Sequence, residues 1–233
     1  DGNYTRVKVP ACGYTEICES SLPVDEHVTM VEKDGMIVLE NKHVCAVFNH
    51  EGELVSFVRK ESGREFAAGP MNRFMLFKDV PRTFDAWDID SCYEQELIGY
   101  WSDVEIHMLE NNPYRCTIQI QKKIGNSFIQ QIVSLESGSI RLEFDTTVDW
   151  QELHRLLKVS FPVDVYAEEA INEIQFGYVK RPTHRSRQYD KDRFEVCNHR
   201  YTALSDEGHG AAVLNDCKYG VSVKGNSINL TLL

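Results

Sequence analysis

From Val28 onward the chain carries apolar residues at every second position in short runs, separated by turn residues. This is the period-two signature of strands with one buried and one wetted face. Residues 36–39, 44–48 and 54–59 are three such runs, and Asp34-Gly35, residues 49–53 and residues 61–64 are the turns around them. The pattern predicts a meander. Residues 74–77 are extended, and residues 78–91 form a long irregular section. Strands then return at 104–109, 115–122, 127–135, 140–148 and 156–161, with Ile118 and Ile120 set against Gln119 and Gln121. Helix-like stretches are confined to 151–156 and 168–171. Ala167-Glu168-Glu169-Ala170 favours a helix by propensity but sits among strand-like neighbours, so a turn or a single helical turn is expected.

Residues 1–30 read as two extended pieces, 4–9 and 14–18, punctuated by Pro10 and Gly13 and followed by Ser20-Ser21-Leu22-Pro23. They are expected to be a linker or the end of a preceding small β region, with residues 31–233 as the main domain. So many amphipathic strands need a second layer to bury their apolar faces. The expected fold is therefore all-β, a large antiparallel β-sandwich. The chain stops at Leu233 inside the alternating run NSINLTLL, so the sandwich is expected to be truncated at one edge.

Composition narrows the partners. Lys plus Arg is 25 and Asp plus Glu is 36, a formal net charge of -11, which argues against nucleic acid. No apolar run approaches the ~18 residues of a membrane span, and no signal-peptide pattern opens the chain. The seven Cys include no CxxC pair, and most sit in strand-like runs as small buried hydrophobes. A reducing cytoplasm is the expected compartment.

Two stretches concentrate polarity. In FDAWDID, Asp85, Asp88 and Asp90 flank Trp87. Carboxylates beside an aromatic face suit a sugar, and closely spaced oxygen ligands suit calcium. The plain alternative is a surface loop with Trp87 anchored in the core and the Asp side chains capping turns. Asp85 and Asp88 could also be a glycosidase acid/base pair. In the last quarter, Asn215, Asp216, Lys218 and Tyr219 gather hydrogen-bonding groups at a strand end. They read either as a hairpin, with Asn215 or Gly220 at positive φ, or as groups facing a ligand or another domain. Arg181, just before Pro182, is a candidate clamp for a carboxylate or a member of a basic rim. His184, His199 and His209 match no zinc spacing, and no GxSxG elbow occurs.

The ordered set DAWDID, FGYVKRPTH, RFEVCNHRYTALSDEGHGAAVLNDCKYG and GNSINLTLL resembles the C-terminal region of family 38 glycoside hydrolases, the zinc-dependent retaining α-mannosidases. The resemblance runs from about Val31 to Leu233, and the cytoplasmic and bacterial branch is the most similar. It implies a supersandwich of the galactose mutarotase-like type, and a parent enzyme that hydrolyses terminal α-D-mannosides with retention. In that family the zinc ion and both catalytic Asp residues belong to an N-terminal α/β domain that no part of this chain resembles. No catalytic, cofactor-binding or metal residue is therefore carried over, and zinc is expected only in the absent catalytic domain. The implied partners are that domain of the same polypeptide and a mannose-containing oligosaccharide, with neither nucleic acid nor membrane, and a homo-oligomeric parent is one option. Asp85, Trp87, Asp88, Asp90, Arg181, Asn215, Asp216, Lys218 and Tyr219 become candidate sugar or interdomain contacts, with Asp88 and Arg181 as ion-pair members. The alternative is an independent carbohydrate-binding or mutarotase-like sandwich. A mutarotase would need His184 or His199 beside Glu195 or Glu173 as acid and base.

Overall fold

The computed structural model describes residues 7–17, 26–85, 87–100 and 103–233. Residues 4–6 of the first extended piece, Cys18, the 20–23 turn and Ala86 of the DAWDID loop lie outside the described residues. Residues 7–17 hold a turn at 11–12 and no strand.

The expected large sandwich is not what forms. The strands divide among four separate antiparallel sheets, a four-bladed arrangement. The first sheet is a plain meander of β1 (Thr29–Lys33), β2 (Met36–Glu40), β3 (Val44–Phe48), β4 (Leu54–Arg59) and β5 (Arg64–Glu65). Its first hairpin closes on Asp34-Gly35 with φ of 52° and 74°, the geometry that a tight two-residue hairpin turn demands. The second sheet runs in the order β11 (Glu143–Asp149), β10 (Ser127–Glu136), β9 (Arg115–Ile124) and β8 (Val104–Asn111).

The third sheet is not a local meander. It gathers β6 (Arg73–Lys78), β7 (Leu97–Tyr100), β12 (Arg155–Pro162), β15 (Val196–Cys197), β18 (Gly220–Lys224) and β19 (Ser227–Thr231), in the order β15-β18-β19-β12-β6-β7. The fourth runs β14 (Gly177–Pro182), β13 (Glu169–Ile174), β16 (Tyr201–Ser205) and β17 (Gly210–Leu214). The Ala167–Ala170 region is thus the entry to a strand. Ala170 is 1% exposed, and its burial outweighs a helix propensity worth only tenths of a kcal/mol per residue. Among the described residues the one α-helix, α1 (Gln188–Asp192), has no counterpart in the sequence pattern.

One continuous core joins the four sheets. In β9, Cys116, Ile118, Ile120 and Ile124 face it, and Ile118 pairs with Val133 of β10. Each such aliphatic side chain, once buried, contributes about 1.5–3 kcal/mol. A smaller cluster of Phe77, Tyr93 and Leu156 lies beside it, with Met75, Ile89 and Phe194 packed on top. The expected burial of cysteines holds for Cys116 and in part for Cys45, whereas Cys12, Cys92, Cys197 and Cys217 are exposed. Among the described residues no helix is long and apolar enough to cross a membrane.

Candidate functional site

The link between β6 and β7 positions the first candidate group. Residues 79–96 leave β6 and reach as far as β18, where Lys224 contacts Glu94 at 3.2 Å. Arg185 grips the same carboxylate with two hydrogen bonds of 2.9 and 2.7 Å. Ile89 packs against the small core cluster, and the outer part of the loop turns away from it. Trp87 is 92% exposed and Phe84 is 75% exposed with φ of 59°, so Trp87 does not anchor in the core. The Trp87 and Asp88 backbone N–H groups both donate to the Phe84 carbonyl, at 2.7 and 3.0 Å. Asp88 accepts from the Ile89 N–H at 3.0 Å, the Asp90 carbonyl accepts from the Tyr93 N–H at 3.0 Å, and Asp85 lies 3.5 Å from His154 Nδ1. Asp79, beneath them, has its carboxyl pKa raised by burial and by the charges of Asp85 and Asp90, with His154 opposing.

The second group lies where β17 returns to β18. Asn215 points inward: its Oδ1 accepts from the Lys218 N–H at 2.8 Å, and its Nδ2 donates to Asn198 Oδ1 at 3.0 Å. Asn198, fully buried, donates its backbone N–H to the Tyr219 carbonyl at 2.8 Å. Tyr219 is 55% exposed and meets the His199 ring edge-on at 5.4 Å, and Asp216 is exposed. Neither Asn215 nor Gly220 has positive φ. Gly220 is needed for space instead, since a Cβ there would stand 3.0 Å from Thr231 Cβ and 3.2 Å from Glu195 Oε1.

Arg181 leaves β14 and donates to the Cys197 carbonyl at 3.0 Å. Among the described residues no ion pair joins it to Asp88. It lines a narrow cleft with Asn172, His184, Arg185, Asp190 and Arg193. Of the groups a mutarotase would need, His199 and Glu173 are neighbours through their backbones. The His199 backbone N–H donates to the Glu173 carbonyl at 2.9 Å, the Glu173 carboxylate accepts from the Arg200 N–H at 2.8 Å, and His184 lies 3.9 Å from Asp190.

One buried cluster escaped the sequence reading. Lys158, 1% exposed, sits inside β12 and contacts Glu195 at 2.5 Å. It also donates to the Tyr93 hydroxyl at 3.2 Å, and Thr231 donates to the other Glu195 oxygen. Burial pulls the Lys158 pKa down while Glu195 opposes it. Burial and Glu195 together push the Tyr93 phenol up. A lysine amid the apolar run Leu156-Leu157-Lys158-Val159 was the available signal, because a buried ammonium needs a partner. The cluster ties β12 to β19 and to the segment before β15.

Among the described residues no three His, Cys, Asp or Glu side chains converge to hold a metal ion, so the residues present do not fit a zinc site. The family model for the glycosyl hydrolases family 38 C-terminal domain matches residues 39–233. Alpha-mannosidase 2C1 of Homo sapiens is 38% identical over 97% of this chain and 23% of its own length. Alpha-mannosidase G of Dictyostelium discoideum is 36% identical over 88% of this chain and 20% of its own length. The chain thus spans less than a quarter of these curated relatives. In a solved structure, a glycosyl hydrolase family 38 protein from Enterococcus faecalis shares the fold with a TM-score of 0.73 and 18% identity, over 95% of this chain and 28% of that one. On these matches, the chain belongs to the glycosyl hydrolase family 38 C-terminal domain family.

Proposed function

We propose that this chain is the non-catalytic C-terminal part of a longer α-mannosidase, which hydrolyses terminal α-D-mannosides with retention using zinc held in an N-terminal catalytic domain. The 38% identity to an alpha-mannosidase over 97% of the chain carries the reading. The domain body runs from β1 (Thr29–Lys33) to Leu233, and the residues before it lead in. The domain packs on the catalytic domain through the 79–90 loop and the 215–219 turn, and so helps to frame the substrate cleft. The support for these two segments is physical. Trp87, Phe84 and Tyr219 leave large aromatic side chains in water, and aromatic residues are enriched where proteins meet. Asp88, Asp90 and Asp216 supply charges that a docked partner would pair, while Asn215 and Lys218 hold the turn in shape.

The test is expression of the complete protein beside residues 1–233. Zinc-dependent release of mannose from an α-mannoside is expected from the long form and none from the short one. Hydrolysis by residues 1–233 alone would overturn the assignment.

A further inference from the structure

The cleft beside β14 sets a buried unpaired acceptor among charged side chains. Its floor is Asn172, fully buried. Asn172 Nδ2 donates to Thr202 Oγ1 at 2.9 Å, but Oδ1 has no hydrogen-bond partner. An unpaired buried acceptor is costly, so the floor calls for a donor. The walls carry charge. Arg185 is neutralised by Glu94, and Asp190 is occupied by the Arg187 N–H and guanidinium, both at 3.0 Å. Arg181 and Arg193 remain, and neither has a carboxylate within ion-pair distance among the described residues. Arg181 spends one Nη on the Cys197 carbonyl, and Arg193 lies 5.5 Å from the Tyr189 ring centroid. Burial lowers the Arg181 pKa, Cys197 opposes this, and the charge of Arg193 reinforces it. Both guanidinium groups thus line the same cleft.

We propose that this cleft binds a small protonated oxyanion, hydrogen phosphate or a phosphate monoester, between Arg181 and Arg193 with Asn172 at its floor. Such an ion supplies both demands of the site: its P–OH donates to Asn172 Oδ1, and its charged oxygens accept from the two guanidinium groups. The cavity of about 20 Å³ admits one oxygen-sized group at the floor. The remainder of the ion, or an ester group on it, sits at the rim, where His184 and Arg193 are exposed.

The test is titration of the 233-residue chain near pH 5.5, where phosphate and its monoesters keep a proton, with inorganic phosphate, sulfate and a hexose monophosphate, at matched ionic strength. Saturable heat is expected with phosphate, and a rise in Tm of about 3–5 °C at ten times Kd. Sulfate, which has no proton to give at this pH, should bind at least tenfold more weakly. Arg181→Met and Arg193→Met should each lower phosphate affinity at least tenfold while leaving the ligand-free Tm near that of the parent chain. Tighter binding of the hexose monophosphate assigns the site to a sugar phosphate, and equal binding assigns it to the free ion. Equal Tm shifts with phosphate, sulfate and chloride, or a phosphate response retained when both arginines are replaced, would overturn the proposal.

Discussion

Two lysines dominate the residue scale, because each is buried in a strand where an apolar residue would be expected. Lys158 is paired with Glu195 at 2.5 Å. Removing one member of a buried pair strands the other charge, at a cost of about 3–5 kcal/mol. Lys158→Met should therefore lower the urea midpoint sharply, and a second change, Glu195→Gln, should restore much of the loss. Equal stability of the single variant and the parent would show that water reaches the pair. Lys122 is different. It faces the core in β9, donates to the Glu51 carbonyl at 2.8 Å and stands 5.1 Å over the Phe74 ring. Burial lowers its pKa to about 8, against the partly compensating charges of Glu53 and Glu51. Between about pH 8 and an unfolded value near 10.4, the unfolded chain binds the proton and the folded chain does not. Stability therefore gains a positive slope with pH in that window. Denaturation curves from pH 7 to 10.5 should show a steeper rise for the parent than for Lys122→Met, and parallel curves would refute the assignment.

At the scale of elements, the β13–β14 hairpin holds a conflict. Ile174 pairs with Gly177, which leaves Gln175-Phe176 as the turn. Phe176 sits at φ of 62° with its side chain wholly in solvent. A bulky residue is strained in that region, so Phe176→Gly should raise stability by roughly 0.5–1 kcal/mol, readable as a higher Tm. An unchanged or lower Tm would mean that the ring makes contacts that offset the strain.

This turn also shows where sequence reading fails. Residues 175–176 look extended, and the pairing of Ile174 with Gly177 in the β13–β14 hairpin makes them a turn. The β9–β10 region was legible because its alternation is local and strict: Ile118, Ile120, Ile129 and Val133 are all fully buried. The FDAWDID loop was legible as polar and aromatic, but the direction of Trp87 was not, because tryptophan suits a core and an interface equally well. Lys158 went unread although its signal was local.

For the whole molecule, the error was the number of sheets. Period two tells which face of a strand is buried but not which strand lies beside it. In the third sheet Ser160 faces Arg73 on one side and Asn229 on the other, so strands from three distant parts of the chain meet side by side. Such pairing carries no local mark, and the alternation that suggested two large sheets fits four sheets around a shared core equally well. The four sheets leave the 79–90 loop outside that core, with Trp87 92% exposed. If the surface serves docking, Trp87→Ala should leave the Tm of residues 1–233 nearly unchanged, since exposed substitutions usually shift stability by no more than about 0.5 kcal/mol. The same change in the complete protein should lower both its thermal midpoint and its mannosidase activity.

The most direct measurement is amide hydrogen exchange of the 79–90 loop in residues 1–233 and in the complete protein under the same conditions. The proposed docking predicts slower exchange of this loop in the complete protein, while strands of the shared core such as β9 exchange alike in both. Equal exchange of the loop in the two forms would contradict the proposal that this face carries the packing.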